Sequence, residues 1–453
     1  MNARWLQAVA VVVALLLGAG CRHEANTIDL ETADFVRIKQ SQARSLVESG
    51  NYRMPPDGWK LFTAILEDDF NSATNLFARL ALIRSSSTNT PNAASMAVDQ
   101  IQTFLATHGL YTPSGSALDG SPWQTLSEAY WAYFEVKTWQ SPLLKEVVSN
   151  IVSVIPSNAV YFGGTDIGRF SVDASQEASK NARRFFILTQ NQLMDYGYCE
   201  YAQFIYGPAL ILPSASDCNA AWGRLLRATT SKVTQAAVMR ESGELIRMIM
   251  AQNPDGEFFI EQSLIIEWLY PHLSPHGPIL KINRQPLARL AEETVRADNA
   301  YWAAFCGKYI GNWIKVGETK VAEVCDFSER VYLRKELQGF SGDRQYLACL
   351  RAQDYFAKLR LATALLYLWR CVEATQVEEK SRMWTQCVLA FEQAFALGPV
   401  NSEVASHFAD TLVSVKEYDD AIRVLRICFA LNPGQTALRA EIERIGKLAA
   451  SAH

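Results

Sequence analysis

The sequence predicts an α/β plus all-α fold, in which a small α/β domain with a parallel sheet lies between helical regions. Between residues 151 and 287, short apolar runs alternate with helical stretches, as in parallel strands joined by crossover helices. Before and after that region, apolar residues recur at helical spacing. The chain has 453 residues, 49% of them hydrophobic and 20% charged, which excludes a disordered protein.

The first twenty residues predict export from the cytoplasm. Arg4 and the amino terminus are positively charged, and the ten residues 8–17 are apolar. At about 1.5 Å of rise per residue, ten residues span about 15 Å, roughly half of a bilayer core. They therefore predict a signal peptide rather than a transmembrane helix.

The segment Leu17-Gly-Ala-Gly-Cys21 resembles the lipobox of bacterial lipoproteins, with Gly18 where lipoboxes usually have Leu. The resemblance implies cleavage before Cys21 and acylation of its thiol, with palmitate-like chains as the membrane anchor. Arg22 after the cysteine implies the outer membrane in preference to the inner. We expect residues 1–20 to be the signal peptide and 21–40 a lipidated tether at the periplasmic face of the envelope. The alternative is an ordinary signal peptide followed by an incidental cysteine.

Charge and cysteine content exclude several classes. Removal of the expected signal peptide removes Arg4, which leaves 42 Lys and Arg residues, 47 Asp and Glu residues and a net charge of −5. Because the sequence also has no run of basic residues, nucleic acid is not an expected partner. The cysteines lack zinc spacing, and we predict no metal site. A disulfide between Cys199 and Cys218 or between Cys306 and Cys325 is possible, because the periplasm permits disulfides, and the sequence does not decide between them.

The region 41–150 predicts a helical domain. Residues 69–77 resemble residues 417–425 of the carboxyl-terminal region. We therefore expect a degenerate helical hairpin of the same kind here, with the turn at Asp68 and Asp69 between its two helices. The aromatic residues 130–134 lie at helical spacing and are expected in a core. Helices are expected at 59–66, 73–80, 96–108 and 122–138.

The region 151–287 predicts a Rossmann-like α/β domain with a parallel sheet. Strands are expected at 158–162, 184–188, 209–212, 257–260 and 278–282, with helices at 195–206, 217–227 and 235–251. A helical connector over 288–365 follows.

The carboxyl-terminal region repeats with a period of 34 residues. Phe391, Ala394 and Pro399 recur as Leu425, Cys428 and Pro433, and Ala409 and Ala421 fill further small-residue positions. Segments 366–399 and 400–433 therefore resemble tetratricopeptide (TPR) repeats, with 436–449 as a capping helix. The resemblance implies that residues 366–453 form helical hairpins that hold protein partners.

Polar residues and glycines follow several expected strands, where open α/β sheets bind ligands. Asp166 could accept hydrogen bonds from hydroxyls, and Arg169 could pair with an anion, so a sugar-like or anionic ligand would suit this edge. The alternatives are a tight Gly-Gly turn, a local Asp166–Arg169 ion pair and helix caps. The candidate residues are Gly163, Gly164, Asp166, Arg169, Thr189, Gln190, Asn191 and Glu261.

The sequence assigns no catalytic residue and no cofactor. Its glycine pattern is not that of a nucleotide-binding loop, and no serine or cysteine lies in a nucleophile elbow. His272 and His276 lie among Pro271, Pro275 and Pro278, which forbid a helix, so we expect a rigid turn rather than a metal site.

The segments 160–170, 188–191 and 268–277 resemble a little-characterised family of repeat-bearing proteins from verrucomicrobia-like bacteria. They are also similar to the extracytoplasmic tails of multi-span membrane proteins related to protein O-mannosyltransferases. The multi-span region of those proteins has no counterpart here, so the resemblance does not imply glycosyl transfer. It implies at most an accessory role in envelope glycosylation.

We therefore expect a non-enzymatic, membrane-anchored scaffold or adaptor that binds protein partners through its TPR region. The alternative is an α/β module that binds or processes a sugar-like or anionic ligand, with a glycan as its partner. A third interpretation makes the α/β domain a spacer whose site has decayed.

Overall fold

The computed structural model describes residues 30–49, 53–86, 121–139, 141–164, 167–178, 185–228, 234–261 and 266–451. The expected signal peptide, Cys21 and the helix expected at 96–108 lie outside these ranges. Within them the protein is mostly helical, with a small mixed sheet of five strands. None of the helices in these ranges is long and apolar enough to cross a bilayer.

Most of the expected helices and strands are present, but a helix over Leu30–Glu48 occupies part of the segment 21–40 that we expected to be a tether. The first helices are α1 (Leu30–Glu48), α2 (Pro56–Leu66), α3 (Phe70–Ser86), α4 (Ser121–Thr138) and α5 (Ser141–Val154). The middle of the chain contains β1 (Val160–Gly163), α6 (Ile167–Ala178), β2 (Phe186–Thr189), α7 (Tyr196–Tyr206), α8 (Ala215–Ala228), α9 (Gln235–Gln252), β3 (Phe258–Ile260), β4 (Leu273–His276) and β5 (Ile279–Ile282). The remaining helices are α10 (Glu292–Ile310), α11 (Val321–Ser328), α12 (Arg344–Ala348), α13 (Leu350–Glu373), α14 (Val377–Leu397), α15 (Ser402–Ser414), α16 (Tyr418–Leu431) and α17 (Thr436–Ser451).

These residues divide into two compact units. The first unit falls within Met1–Ser141, Ile155–Phe259 and Leu264–Leu269, and the second within Pro142–Val154, Ile260–Ser263 and Tyr270–His453.

The sheet is mixed, whereas the sequence predicted a parallel one. Its strand order is β2-β1-β3-β5-β4. β1 and β2 are parallel, with Gly163 opposite Thr189, but β4 and β5 form an antiparallel hairpin. The segment 273–276, which we expected to be a rigid turn, is the edge strand β4. An edge strand tolerates Pro275 because one side of it needs no partner, and Gly277 turns the hairpin with a φ of 61°.

The strand expected at 209–212 is absent from the described residues, and that prediction is wrong. A 3₁₀ turn occupies Gly207–Ala209 instead. The side-chain amide of Asn253 then accepts from the backbone N–H of Ile211 and donates to its carbonyl, both at 2.9 Å. Asn253 thus satisfies the backbone groups of Ile211 that a neighbouring strand would otherwise bind.

The core of the first unit includes the aromatic residues expected there. Phe77 of α3 stacks on Tyr130 of α4, with ring centroids 4.0 Å apart. The expected turn between α2 and α3 is also present, with Asp68 at a φ of 60°. Lys137 and the hydroxyl of Tyr133 both bind the Asp68 carboxylate, at 2.7 and 3.0 Å, and join this turn to α4.

The end of the second unit is helical, as predicted, and its successive helices pack against one another. α13 packs against α14, α15 against α16, and α17 against α16. The rings of Phe391 and Phe408 stack in parallel, with centroids 5.3 Å apart, and Ala394, Ala409 and Ala421 are fully buried. Small residues at these positions let the helices pack closely, which explains the alanines in the repeat.

Candidate functional site

A buried ionic cluster lies in the first unit, where α1, α4, α6 and α7 meet. It consists of Lys39, Glu128, Arg169, Asp173, Glu177 and Tyr201, and we call it the Lys39 cluster. Each of the five charged side chains is at least about nine-tenths buried. Burying charge is costly unless each charge has a close partner, so the arrangement depends on mutual pairing.

Lys39 lies at the centre of this cluster. Its Nζ is 2.6 Å from Glu128 Oε2, 3.0 Å from Glu177 Oε2 and 3.2 Å from Asp173 Oδ2. It also donates to the hydroxyl of Tyr201 at 3.2 Å, and this hydroxyl donates to Glu128 Oε2 at 2.5 Å. One ammonium group is therefore surrounded by three carboxylates.

Arg169 holds the opposite side of Glu128. Its Nη2 donates to Glu128 Oε1 at 2.9 Å and to Gln124 Oε1 at 3.3 Å, while Nη1 donates to Gln192 Oε1 at 3.3 Å. The guanidinium also lies over the ring of Tyr198, 5.4 Å from its centroid. The guanidinium of Arg169 therefore binds groups of the protein rather than an external anion.

The ionisation of Glu128 follows from these neighbours. Burial acts to raise its pKa, but the charges of Lys39 and Arg169, with hydrogen bonds from Lys39 and Tyr201, outweigh burial and hold the pKa below its usual value. Burial, and then the charge of Glu128, raise the pKa of Tyr201 well above its usual value, so its hydroxyl stays protonated. By formal charge, three carboxylates face two cations, and the cluster has a net charge of −1.

Helical spacing brings the cluster together. Arg169, Asp173 and Glu177 lie four residues apart on α6, so they share one face of that helix. Gln124 and Glu128 have the same spacing on α4, and Lys39 lies on the buried face of α1 beside Phe35 and Val36. Sequence reasoning found Arg169 alone. The signal for the others was the four-residue spacing of charges on α6 and a lysine within an apolar stripe on α1.

A small cavity adjoins the cluster. Lys39, Glu128, Arg169, Asp173 and Glu177 line it on one side, together with the tyrosines 198, 201 and 206. The cavity is partly open, and its space for the centres of water molecules measures about 10 Å³, which is room for about one. A sugar does not fit inside the cavity as it stands.

Several of the sequence-predicted residues lie near one another at the carboxyl ends of β1 and β2. Gly163 is paired with Thr189, and a Cβ on Gly163 would lie 3.2 Å from the Cβ of Arg169. This close approach leaves little room for a side chain at the end of β1. Gly164 is buried, and Gln190 donates through Nε2 to the carbonyl of Phe162 at 3.3 Å.

Two of these residues offer acceptor atoms at this edge. Thr189 Oγ1 and Asn191 Oδ1 are buried and find no hydrogen-bond partner within the ranges that the structure describes. The backbone N–H of Thr189 donates to the hydroxyl of Tyr198 at 2.8 Å. The carboxyl ends of β1 and β2 therefore adjoin the Lys39 cluster through Arg169 and Tyr198.

Two further predicted residues remain, Asp166 and Glu261. Asp166 lies outside the described residues. Glu261 belongs to the second unit, where its Oε2 accepts from the hydroxyl of Tyr355 at 2.7 Å. His272 and His276 accompany the β4–β5 hairpin, where their rings lie 2.8 Å from the carbonyls of Asn283 and Val154.

No cluster of three or more His, Cys, Asp or Glu side chains with metal-binding geometry occurs among the described residues. A comparison of the chain with protein-family models, with curated proteins and with solved structures finds no match. Any function must therefore be argued from the residues and their geometry.

Proposed function

We propose that this protein is a lipid-anchored, extracytoplasmic scaffold whose carboxyl-terminal helical hairpins bind a segment of a protein partner. The observation that carries the proposal is the succession of packed helices from α13 to α17, with the 34-residue period of TPR repeats. Repeats of that kind present extended surfaces to partner segments. The lipobox at Cys21 supplies the anchor, with the outer membrane favoured.

The exposed faces of α15 and α17 suit a polar partner segment. Arg444 of α17 lies 3.4 Å from Asp410 of α15, and Arg444 also pairs with Glu441. These exposed ion pairs contribute little to stability, so they can exchange for charges on a partner. The buried sides of the same helices hold the hairpins together and are not available to a ligand.

Site-specific photocrosslinking in the producing cell tests this proposal. A photoreactive residue at Asp410 or Arg439 should crosslink one protein partner. The same residue at Arg37 or Lys60, which are exposed in the first unit, should not. The Arg444→Glu variant should weaken crosslinking from Asp410. Equal crosslinking from all four positions, or none from the hairpins, would rule out the hairpins as the binding surface.

The anchor requires its own test, because Cys21 lies outside the described residues. Cells that express the full chain should incorporate labelled palmitate into the protein, and the Cys21→Ser variant should lose both the label and the membrane association. A Cys21→Ser protein that stays in the membrane fraction would contradict lipid anchoring.

A second candidate function is binding of a hydroxyl-rich, sugar-like ligand beside the Lys39 cluster. The observation in its favour is a cavity lined by charged groups and tyrosines, one of which, Tyr198, accepts from the backbone N–H of Thr189. Thr189 Oγ1 and Asn191 Oδ1 are buried acceptors at the same strand end. The excess of carboxylates disfavours an anion, because Glu128 already neutralises Arg169. Such a ligand would suit an accessory role in handling envelope glycans.

Thermal unfolding in the presence of a panel of neutral monosaccharides and sugar phosphates tests this second function. A neutral sugar should raise the unfolding midpoint of the wild type, and Thr189→Val should abolish that shift. A matched substitution on the second unit, Thr385→Val, should leave it unchanged. Absence of any shift at millimolar sugar would reject the second function.

A further inference from the structure

Two buried cysteines of the first unit approach the same backbone oxygen. Cys199 lies in the first turn of α7 and Cys218 in the first turn of α8, and each is 1% exposed. Their thiols donate to the carbonyl of Leu193, with Sγ–O distances of 3.3 and 3.6 Å. The two thiols are also close enough to bind each other, and this hydrogen bond, followed by burial, raises the pKa of Cys199.

Contacts other than the thiols fix this proximity. Asp195 caps α7 by accepting from the N–H of Gly197 at 3.0 Å. Trp222 of α8 donates through its indole N–H to the carbonyl of Met194 at 3.0 Å. Both helices are thus attached to the turn at residues 193–195, which holds the two sulfur atoms together.

The other cysteines are arranged differently, although Cys371 lies near enough to Cys387 that its charge, after burial, contributes to raising the pKa of Cys387. Within the described part of the chain, no other two cysteines share a hydrogen-bond acceptor. Cys428, for example, is directed to the carbonyl of Val400 at 3.6 Å. Burial raises the pKa of both Cys306 and Cys325, the alternative pair by sequence, and the opposing positive charge is that of Arg360 for Cys306 and that of Arg423 for Cys325. Of the two pairings that the sequence left open, the geometry therefore favours Cys199 with Cys218.

We propose that Cys199 and Cys218 form a disulfide that joins α7 to α8 in the mature protein. A disulfide-bearing oxidant, either a protein or a small molecule, accepts the two electrons. Two thiols and one oxidant disulfide give the Cys199–Cys218 disulfide and two reduced thiols of the oxidant. Because both sulfurs are shielded in the folded chain, the bond forms during folding. The bond in the cell rests on the proposed extracytoplasmic location, since a reducing cytosol would keep both thiols reduced.

Refolding of the full chain in two buffers tests the pairing without reference to the cell. One portion refolds with oxidised and reduced glutathione and the other with excess reductant, and both are then alkylated under denaturing conditions and digested. The oxidised portion should yield a linked peptide pair that contains Cys199 and Cys218, and its thermal midpoint should be several degrees higher than that of the reduced portion. This difference should vanish in Cys199→Ser and in Cys218→Ser, and should persist in Cys306→Ser.

Each result bears on the pairing or on the location. Alkylation of both cysteines in the oxidised portion, or a link from either one to a third cysteine, would overturn the pairing. Alkylation of the protein directly in its producing cells then tests the location. A pair that links in glutathione buffer but stays reduced in those cells would contradict the extracytoplasmic location and a disulfide in the mature protein.

Discussion

Lys39 Nζ lies 2.6 Å from Glu128 Oε2, and both side chains are almost fully buried. Asp173 and Glu177 approach the same ammonium group, so a single lysine of α1 compensates carboxylates from α4 and α6. Removing one member of a buried ion pair leaves its partner uncompensated, which costs more than the pair itself contributes to stability. The arrangement therefore specifies how these helices pack.

The first prediction concerns the lysine. Lys39→Met should lower the free energy of unfolding by about 3–5 kcal/mol, because it leaves three carboxylates facing Arg169 alone. Urea unfolding followed by tryptophan fluorescence measures the loss. Glu177→Gln is the matched control and should cost less, since it removes the excess negative charge of the cluster. Equal losses in the two variants would show that net charge does not govern the cluster.

The second prediction concerns Arg370, which binds backbone carbonyls of the second unit. Its guanidinium donates to Leu287 at 2.6 Å, to Pro271 at 2.8 Å and to Tyr270 at 3.3 Å. Burial lowers its pKa. A lysine cannot reach all of these carbonyls, because its three donors share one nitrogen. Arg370→Lys should therefore cost about 2 kcal/mol, the scale of a charged hydrogen bond.

Chemical unfolding of Arg370→Lys beside Arg439→Lys measures this effect. Arg439 is exposed and pairs with Glu443 at 3.6 Å, so its replacement should change stability by less than about 0.5 kcal/mol. Equal stability of the two variants would show that the hydrogen bonds from Arg370 to these carbonyls do not stabilise the second unit.

The third prediction concerns the buried pair of Asp298 and Arg360. Arg360 Nη1 is 2.8 Å from Asp298 Oδ2, which also accepts from the hydroxyl of Tyr367 at 2.9 Å. Asp298→Asn should destabilise the protein by about 3–5 kcal/mol, because the guanidinium remains buried without a counter-charge. The double variant Asp298→Leu with Arg360→Met should be less destabilised than the single one, as calorimetry can show. A double variant at least as unstable as Asp298→Asn would refute this account.

The sequence predicted the helices well where apolar spacing is regular. The helices expected at 122–138, 217–227 and 235–251 match α4, α8 and α9 to within two residues at each end. The spacing of Ala394, Ala409 and Ala421 also indicated the hairpins, because small residues at crossings leave a local signal. TPR membership itself stays a proposal.

The sheet was harder to predict, since strand direction depends on contacts distant in sequence. The strand expected at 209–212 failed because Asn253, more than forty residues away, binds the backbone of Ile211. β4 was missed because Pro275 within it and the flanking Pro271 and Pro278 indicated a turn. Its place at the edge of the sheet is a property of the tertiary fold.

The candidate site was predicted in part. Gly163, Arg169 and Thr189 were named from strand ends, and the structure brings them together. Lys39 and Glu128 were not named, because only the packing of α1 against α4 places their charges side by side. A single lysine among apolar residues of a helix does not indicate which distant carboxylates it will contact.

The last prediction concerns the acid Glu392 in α14, which is 2% exposed. Its Oε1 has no hydrogen-bond partner within the described ranges. Burial, with a smaller contribution from Glu323, raises its pKa from the usual 4.5 to about 8. At neutral pH the folded protein therefore holds a proton there that the unfolded chain has released, and folding becomes less favourable as the pH rises from about 4.5 to about 8.

The expected loss is roughly 1.4 kcal/mol per pH unit within that window, and it should stop near pH 8. Glu392→Gln keeps the shape and removes the titration, so it should raise the unfolding free energy at pH 8 and change it little at pH 4.5. Urea unfolding at a series of pH values measures both curves, and Glu403→Gln, an exposed change on α15, should leave the wild-type slope intact. Parallel curves for the wild type and Glu392→Gln would mean that Glu392 ionises without cost to folding, and that α14 admits water at this position.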